Sequence, residues 1–175
     1  MDLATWLERL EQLHPSAIDL GLARCGEVAR RLELLDTDAT TITVAGTNGK
    51  GSTVGVMEAI LRASGMRVGA FTSPHLIRYN ERIRVDGSEV SNELIVEAFE
   101  AIEHARLAIS LTYFEFNTLA ALWIFKKLEV AFQLLEVGLG GRLDAVNIID
   151  ADVAVVTAIG LDHQEWLGTD IETIA

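Results

Sequence analysis

Cys25 is the only cysteine, so no internal disulfide can form, and its setting in "LARCGEV" reads as a helix face carrying a packed structural thiol. Basic residues are also scarce. There are 14 Lys and Arg against 26 Asp and Glu, a net charge of -12 with no local basic patch, which disfavours a nucleic acid or an acidic membrane surface as partner. A phosphorylated small molecule held by a few placed cations remains compatible with that balance. No apolar run approaches the length of a membrane span, and the opening "MDLATWLERLEQL" carries charges through its apolar positions, unlike a signal peptide. The cytoplasm is therefore the expected compartment. Repeats and low-complexity linkers are absent too. What is present is 175 residues, half of them hydrophobic, enough for one buried core.

Leu3, Trp6, Leu7, Leu10 and Leu13 recur at three- and four-residue spacing, which predicts a first amphipathic helix ending near His14-Pro15. A second helix is expected over 22–34, then the polar break "DTDATT" and an apolar strand over 42–45. A glycine loop follows, and Val54, Met57, Ile60 and Leu61 form the stripe of a helix over 50–64 that Gly65 stops. The strand 68–71 leads into "TSPH", and "RIRVDGSEV" predicts a small hairpin around Asp86-Gly87. Ser91 can cap a helix over 92–108, and the T-x-x-E box of Thr112 and Glu115 opens another near Tyr113. Two further strands are expected over 131–137 and 153–158. Continuous apolar strands separated by helices predict an α/β fold with a mainly parallel sheet covered on both faces. The final "DIETIA" reads as the start of a helix without a stop signal, so the chain is expected to be a fragment.

The chemistry begins at "TVAGTNGKGST". A P-loop is G-x-x-x-x-G-K-[ST], yet Val44 stands at the first glycine and Gly51 at the magnesium-binding hydroxyl. Strand before and helix after still suit a phosphate site, with backbone N–H groups, the helix dipole and Lys50 converging; the alternative is a glycine-rich turn with a solvated lysine. Glu136 ends its strand at the carboxyl edge, where ligands of parallel sheets bind and where a carboxylate can hold magnesium or simply be solvated. The "GLGG" after it lacks dinucleotide spacing, because Leu143 takes the last glycine's place. Asp162 and His163 in "GLDHQEW" arrive at the same edge, so His163 is a candidate ligand as well as a candidate surface residue.

Together "IDLGL", "VAGTNGKGST", "FTSPHLIRYNERIRVDG", "LTYFEF", "EVGLGGRLDAVN" and "TAIGLDHQEWLG" resemble the bacterial bifunctional dihydrofolate synthase/folylpolyglutamate synthases of the Mur ligase superfamily, over nearly the whole chain. The resemblance implies a P-loop NTPase-like Mur ligase central domain, with residues 1–175 as the N-terminal ATP- and pterin-binding domain and a C-terminal glutamate-ligase domain lying outside the chain. In this family the loop reads G-T-N-G-K-G-[ST], and the magnesium hydroxyl comes from the serine of "TSPH", here Ser73. By the same carry-over Thr47, Asn48, Gly49, Lys50, Gly51 and Ser52 bind the nucleotide, and Ser73, Glu136 and His163 hold magnesium. Lys50, Glu136 and His163 carry catalysis. Asp19, Leu20, Gly21, Leu22, Thr112, Tyr113, Phe114, Leu143, Asp144 and Ala145 line the pterin site. The family's carbamylated lysine lies beyond Ala175.

The implied cofactors are ATP and Mg2+, and the implied partners are dihydropteroate or a reduced folate together with L-glutamate; the expected state is a monomer. The implied reaction makes an acyl phosphate that the glutamate amine converts to an amide. A Mur-type ligase acting on cell-wall precursors is the alternative enzyme, although such loops usually place a hydroxyl where Gly51 stands. A non-catalytic nucleotide-binding module would need Lys50 and Glu136 but not the pterin segments.

Overall fold

The computed structural model describes residues 1–13 and 18–174. Helix α1 spans Leu3–Glu11, opened by the Asp2 carboxylate accepting the Thr5 N–H at 2.9 Å. The end expected near His14-Pro15 lies outside the described residues, and Gln12 already caps α1. Helix α2 spans Ala23–Arg31 and stops short of Leu34, because Glu33 adopts a positive φ of 57° that turns the chain. Leu34 nevertheless reaches the core from that turn, which is why it read as helical.

Strand β1 (Thr40–Ala45) leads through the glycine loop into α3 (Lys50–Ala63), then β2 (Val68–Phe71), β3 (Ile83–Val85) and β4 (Ser88–Glu89). Asp86 and Gly87, both at positive φ, make the tight turn of the β3–β4 hairpin. Helix α4 (Asn92–Arg106) and helix α5 (Tyr113–Lys127) pack beside each other. The predicted capping box opens α5: Thr112 Oγ1 accepts from Glu115 N at 3.2 Å, and the Glu115 carboxylate accepts from Thr112 N at 2.7 Å. Strands β5 (Phe132–Glu136) and β6 (Val153–Val156) complete the sheet, and the short helices α6 (Gln164–Leu167) and α7 (Ile171–Ile174) follow.

The six strands run in the order β4-β3-β2-β5-β1-β6. Strands β2, β5, β1 and β6 are parallel, and the β3–β4 hairpin adds an antiparallel edge. Helix α3 covers one face through Val54, which packs with Val44, Val68, Ala70 and Leu134. Helices α1, α2, α4 and α5 cover the other, around Trp6, Phe71, Phe99 and Phe116. Strand β6 is the last in the strand order, and Val153 and Val156 are exposed. The order matters for function. The β1-to-β2 crossover skips the position that β5 fills, while the chain leaves β5 for the far side of β1. The carboxyl ends of β1, β5 and β2 therefore open side by side at a topological switch point.

Candidate active site

The loop between β1 and α3 turns on two glycines at positive φ, Gly46 (130°) and Gly49 (90°), and α3 then starts at Lys50. The loop is tied down from one side. Thr47 N donates to Ala158 O at 2.8 Å, Asn48 N reaches the same oxygen, and Thr47 Oγ1 both donates to Gly160 O (3.1 Å) and accepts from Gly160 N (2.9 Å). The N–H groups of Thr47 and Asn48 thus face the segment after β6. Lys50 Nζ bends back to donate to Gly46 O at 2.6 Å and Thr47 O at 3.3 Å.

Glu136, at the end of β5, is buried beside this loop. Its carboxylate accepts from Ser73 N at 3.0 Å. A side chain at Gly51 would begin 3.6 Å from both carboxylate oxygens, so the glycine lets the helix start lie directly over the acid. Burial pushes the Glu136 carboxyl above its usual range, against the pull of the Ser73 and Gly51 N–H groups and the charges of Lys50 and Arg84. A bound dication would reverse that burial cost, and the carboxylate and Ser73 hydroxyl are hard oxygen donors of the kind magnesium takes while keeping several waters. These two residues fit the metal. His163 comes from another segment, at a positive φ of 48°, with Nε2 3.8 Å from the Asp162 carboxylate. Among the described residues no three His, Cys, Asp or Glu side chains gather into a metal cluster.

Two cavities flank this edge. The larger, of about 340 Å3, is bordered by Asp19, Leu20 and Gly21, by Thr112, Tyr113 and Phe114, and by Leu143, Asp144 and Ala145, with Ser73 and His163 at its rim. Segments far apart in sequence thus converge on one cavity. Leu22 is the exception: it is the residue before α2 and does not border the cavity. The smaller, of about 90 Å3, is bordered by Gly46, Thr47, Lys50, Gly140, Gly141, Asp162 and His163. Asn48, Gly49, Gly51 and Ser52 border neither, although Gly49 and Gly51 shape the helix start. Gly138, Leu139 and His163 border both, forming a common wall.

That wall is fixed from behind. Asp144 Oδ2 accepts from Gly138 N (3.0 Å) and Leu139 N (2.9 Å), while Oδ1 accepts from Val146 N (3.1 Å). Burial raises its pKa to about 6, with those three N–H groups opposing. Asp144 therefore borders the cavity as the residue that shapes it. Gly138 is required here, because a Cβ would stand 2.5 Å from the Phe114 ring. Sequence reasoning missed Arg24 and Arg82. Arg24 donates to Asp19 Oδ2 (2.6 Å), Asp19 O (3.0 Å) and Glu115 Oε1 (3.1 Å), which ties the 19–21 segment to the start of α5. Its position beside "IDLGL" was the only available signal. Arg82 borders the large cavity from the 3-10 turn Tyr79–Arg82.

A glycine loop between a parallel strand and a helix, a buried carboxylate on the neighbouring strand and an adjoining apolar cavity are the features of a nucleotide-binding type of α/β domain. No protein-family model matches the sequence. The dihydrofolate synthase/folylpolyglutamate synthase of Escherichia coli (strain K12) is 57% identical over 172 residues, covering 98% of this chain and 41% of that protein. The structure of E. coli FolC in complex with DHPP and ADP superposes with a TM-score of 0.98 at 56% identity, covering 99% of this chain and 42% of that one. The Yersinia pestis bifunctional folylpolyglutamate synthase/dihydrofolate synthase complexed with AMPPNP and Mn ion gives a TM-score of 0.93 at 55% identity, covering 99% and 42%. The chain belongs to the dihydrofolate synthase/folylpolyglutamate synthase family, and it spans about two fifths of the length of these relatives.

Proposed function

We propose that this chain is the ATP- and pterin-binding part, the N-terminal domain, of an amide ligase. That enzyme joins L-glutamate to dihydropteroate, giving dihydrofolate, and to reduced folates, giving polyglutamates. The observation that carries this reading is the common wall of Gly138, Leu139 and His163 between an apolar cavity and a smaller one at Lys50. A flat heterocycle fits the first and phosphates the second, so an acid lodged in one meets a phosphoryl group lodged in the other. The relatives carrying ADP, AMPPNP, Mn and DHPP support ATP and a divalent cation, magnesium, as cofactors.

The reaction proceeds in two displacements. The substrate carboxylate attacks the γ-phosphorus of ATP and ADP leaves; the glutamate amine then attacks the acyl carbon, expelling phosphate and losing a proton. Lys50, already within its own loop's carbonyls, would exchange them for phosphate oxygens and offset the charge that moves during transfer. Glu136 and Ser73 would hold magnesium, with His163 as a further ligand from the wall; the metal supplies charge neutralisation and alignment of the phosphates. The cavity residues hold the acid in line with the phosphate, which converts a bimolecular encounter into a positioned one. A C-terminal domain would seat glutamate and close the site.

The same reading makes the enzyme a cytoplasmic monomer with no nucleic-acid or membrane partner. The net charge of -12 on this chain disfavours a nucleic-acid or acidic-membrane partner, and among the described residues no helix is long and apolar enough to cross a membrane. The test is to incubate the full-length protein with ATP, magnesium and glutamate plus dihydropteroate, tetrahydrofolate or a cell-wall nucleotide precursor, and to follow product by chromatography. Dihydrofolate and a folate polyglutamate are expected. Product from the cell-wall precursor alone would overturn the reading.

A further inference from the structure

Arg82 is a buried cation, 9% exposed, on the wall of the large cavity. Burying a guanidinium is costly unless a counter-charge and hydrogen bonds compensate it. Its compensation within the protein is thin. Nε donates to His75 Nδ1 at 2.8 Å, and the guanidinium carbon lies 5.5 Å from the centre of the Tyr113 ring and 6.0 Å from that of Tyr79. Among the described residues no carboxylate is within ion-pair distance of it, and its two terminal nitrogens make no protein hydrogen bond. The acids that share the cavity are engaged elsewhere: Asp19 and Glu115 with Arg24, and Asp144 with the wall. His75 and the two rings thus fix the plane of the fork and leave its outer edge for something else.

The position of that edge says what it meets. Thr72 N donates to Arg82 O at 2.9 Å, so Arg82 is braced against the segment that delivers Ser73, and Ser73 in turn donates to Glu136. Arg82 and Ser73 both border this cavity. Resting on the ligase reading above, we propose that Arg82 is the anion-recognising residue of this cavity, its terminal nitrogens holding a carboxylate of the bound pterin acid through a two-pronged contact. Two carboxylates have this chemistry: the arene carboxylate that dihydropteroate presents for reaction, and the glutamyl carboxylates of a reduced folate.

The test measures binding to the full-length protein of dihydropteroate, its neutral carboxamide, tetrahydrofolate and Mg-ADP. Wild type is expected to prefer the acid to the amide by roughly 10- to 100-fold, the size of one charge-assisted contact. Arg82→Gln is expected to lose that factor with dihydropteroate, with tetrahydrofolate or with both, leaving amide and Mg-ADP binding unchanged. Loss confined to tetrahydrofolate assigns Arg82 to the glutamyl carboxylates, and loss with both acids assigns it to the reacting one. Should Arg82→Gln fail to fold, Arg82→Lys retains the charge without the fork and is expected to keep a reduced preference. Undiminished binding of both dihydropteroate and tetrahydrofolate by Arg82→Gln overturns the proposal and leaves the ligase reading intact. Failure of wild type to bind any of the pterins overturns both.

Discussion

At Gly51 the missing hydroxyl has a structural counterpart, since the acid that would lie beneath it is instead paired with the Ser73 N–H at 3.0 Å. Ser73→Ala in the full-length protein is therefore expected to raise the magnesium concentration needed for half-maximal ligation. Ser52→Ala, on the exposed side of α3, is expected to do so less. Magnesium titrations of the two variants rank them, and the reverse order removes Ser73 from the metal site. Asp144 carries a second expectation. Its folded pKa of about 6 lies above the ordinary 3.8, so the fold holds this proton more tightly than the unfolded chain does. Its contribution to stability is complete below the lower value and is lost as pH rises through the upper one. Denaturant melts between pH 4 and 7 should show that loss, and Asp144→Asn should flatten it. Residues inside quoted motifs were legible because glycine, lysine and acid types report their chemistry directly. The diversion of the Thr47 and Asn48 N–H groups was not, because their acceptor, Ala158, is remote in sequence. Arg82 was not either, because a basic residue beside a hairpin reads as solvated until its burial is known.

Helix α5 shows how far elements could be read. The T-x-x-E pattern named its first residue, and the box exists with both of its bonds. Thr112→Ala should cost about 1 kcal/mol of unfolding free energy by denaturant melts, with Thr112→Ser recovering most of it. A cost near zero would mean that tertiary packing alone sets the start of α5. Strand identities were equally legible from apolar runs, yet neighbours were not. Nothing local to "VAFQLLEV" says that it inserts between β1 and β2, which is a property of crossover length and helix packing.

For the whole molecule, charge and geometry are present at one edge while closure is left to the proposed C-terminal domain. The 175-residue chain alone should bind Mg-nucleotide weakly and form no detectable dihydrofolate from ATP, magnesium, dihydropteroate and glutamate. Chromatography of that mixture decides it, and turnover near that of the full-length protein would place the essential chemistry entirely within these residues. The wall of Gly138, Leu139 and His163 has a further consequence. Because it faces both cavities, a ligand that displaces it from one side changes the free energy of binding on the other. Linkage makes that influence reciprocal: the factor by which nucleotide alters pterin affinity equals the factor by which pterin alters nucleotide affinity. The Asp144 carboxylate, gripping the wall through Gly138 and Leu139, sets its stiffness. On the proposed ligase reading the two ligands would share a partition, and how firmly it is held would determine how strongly each reports the other's arrival.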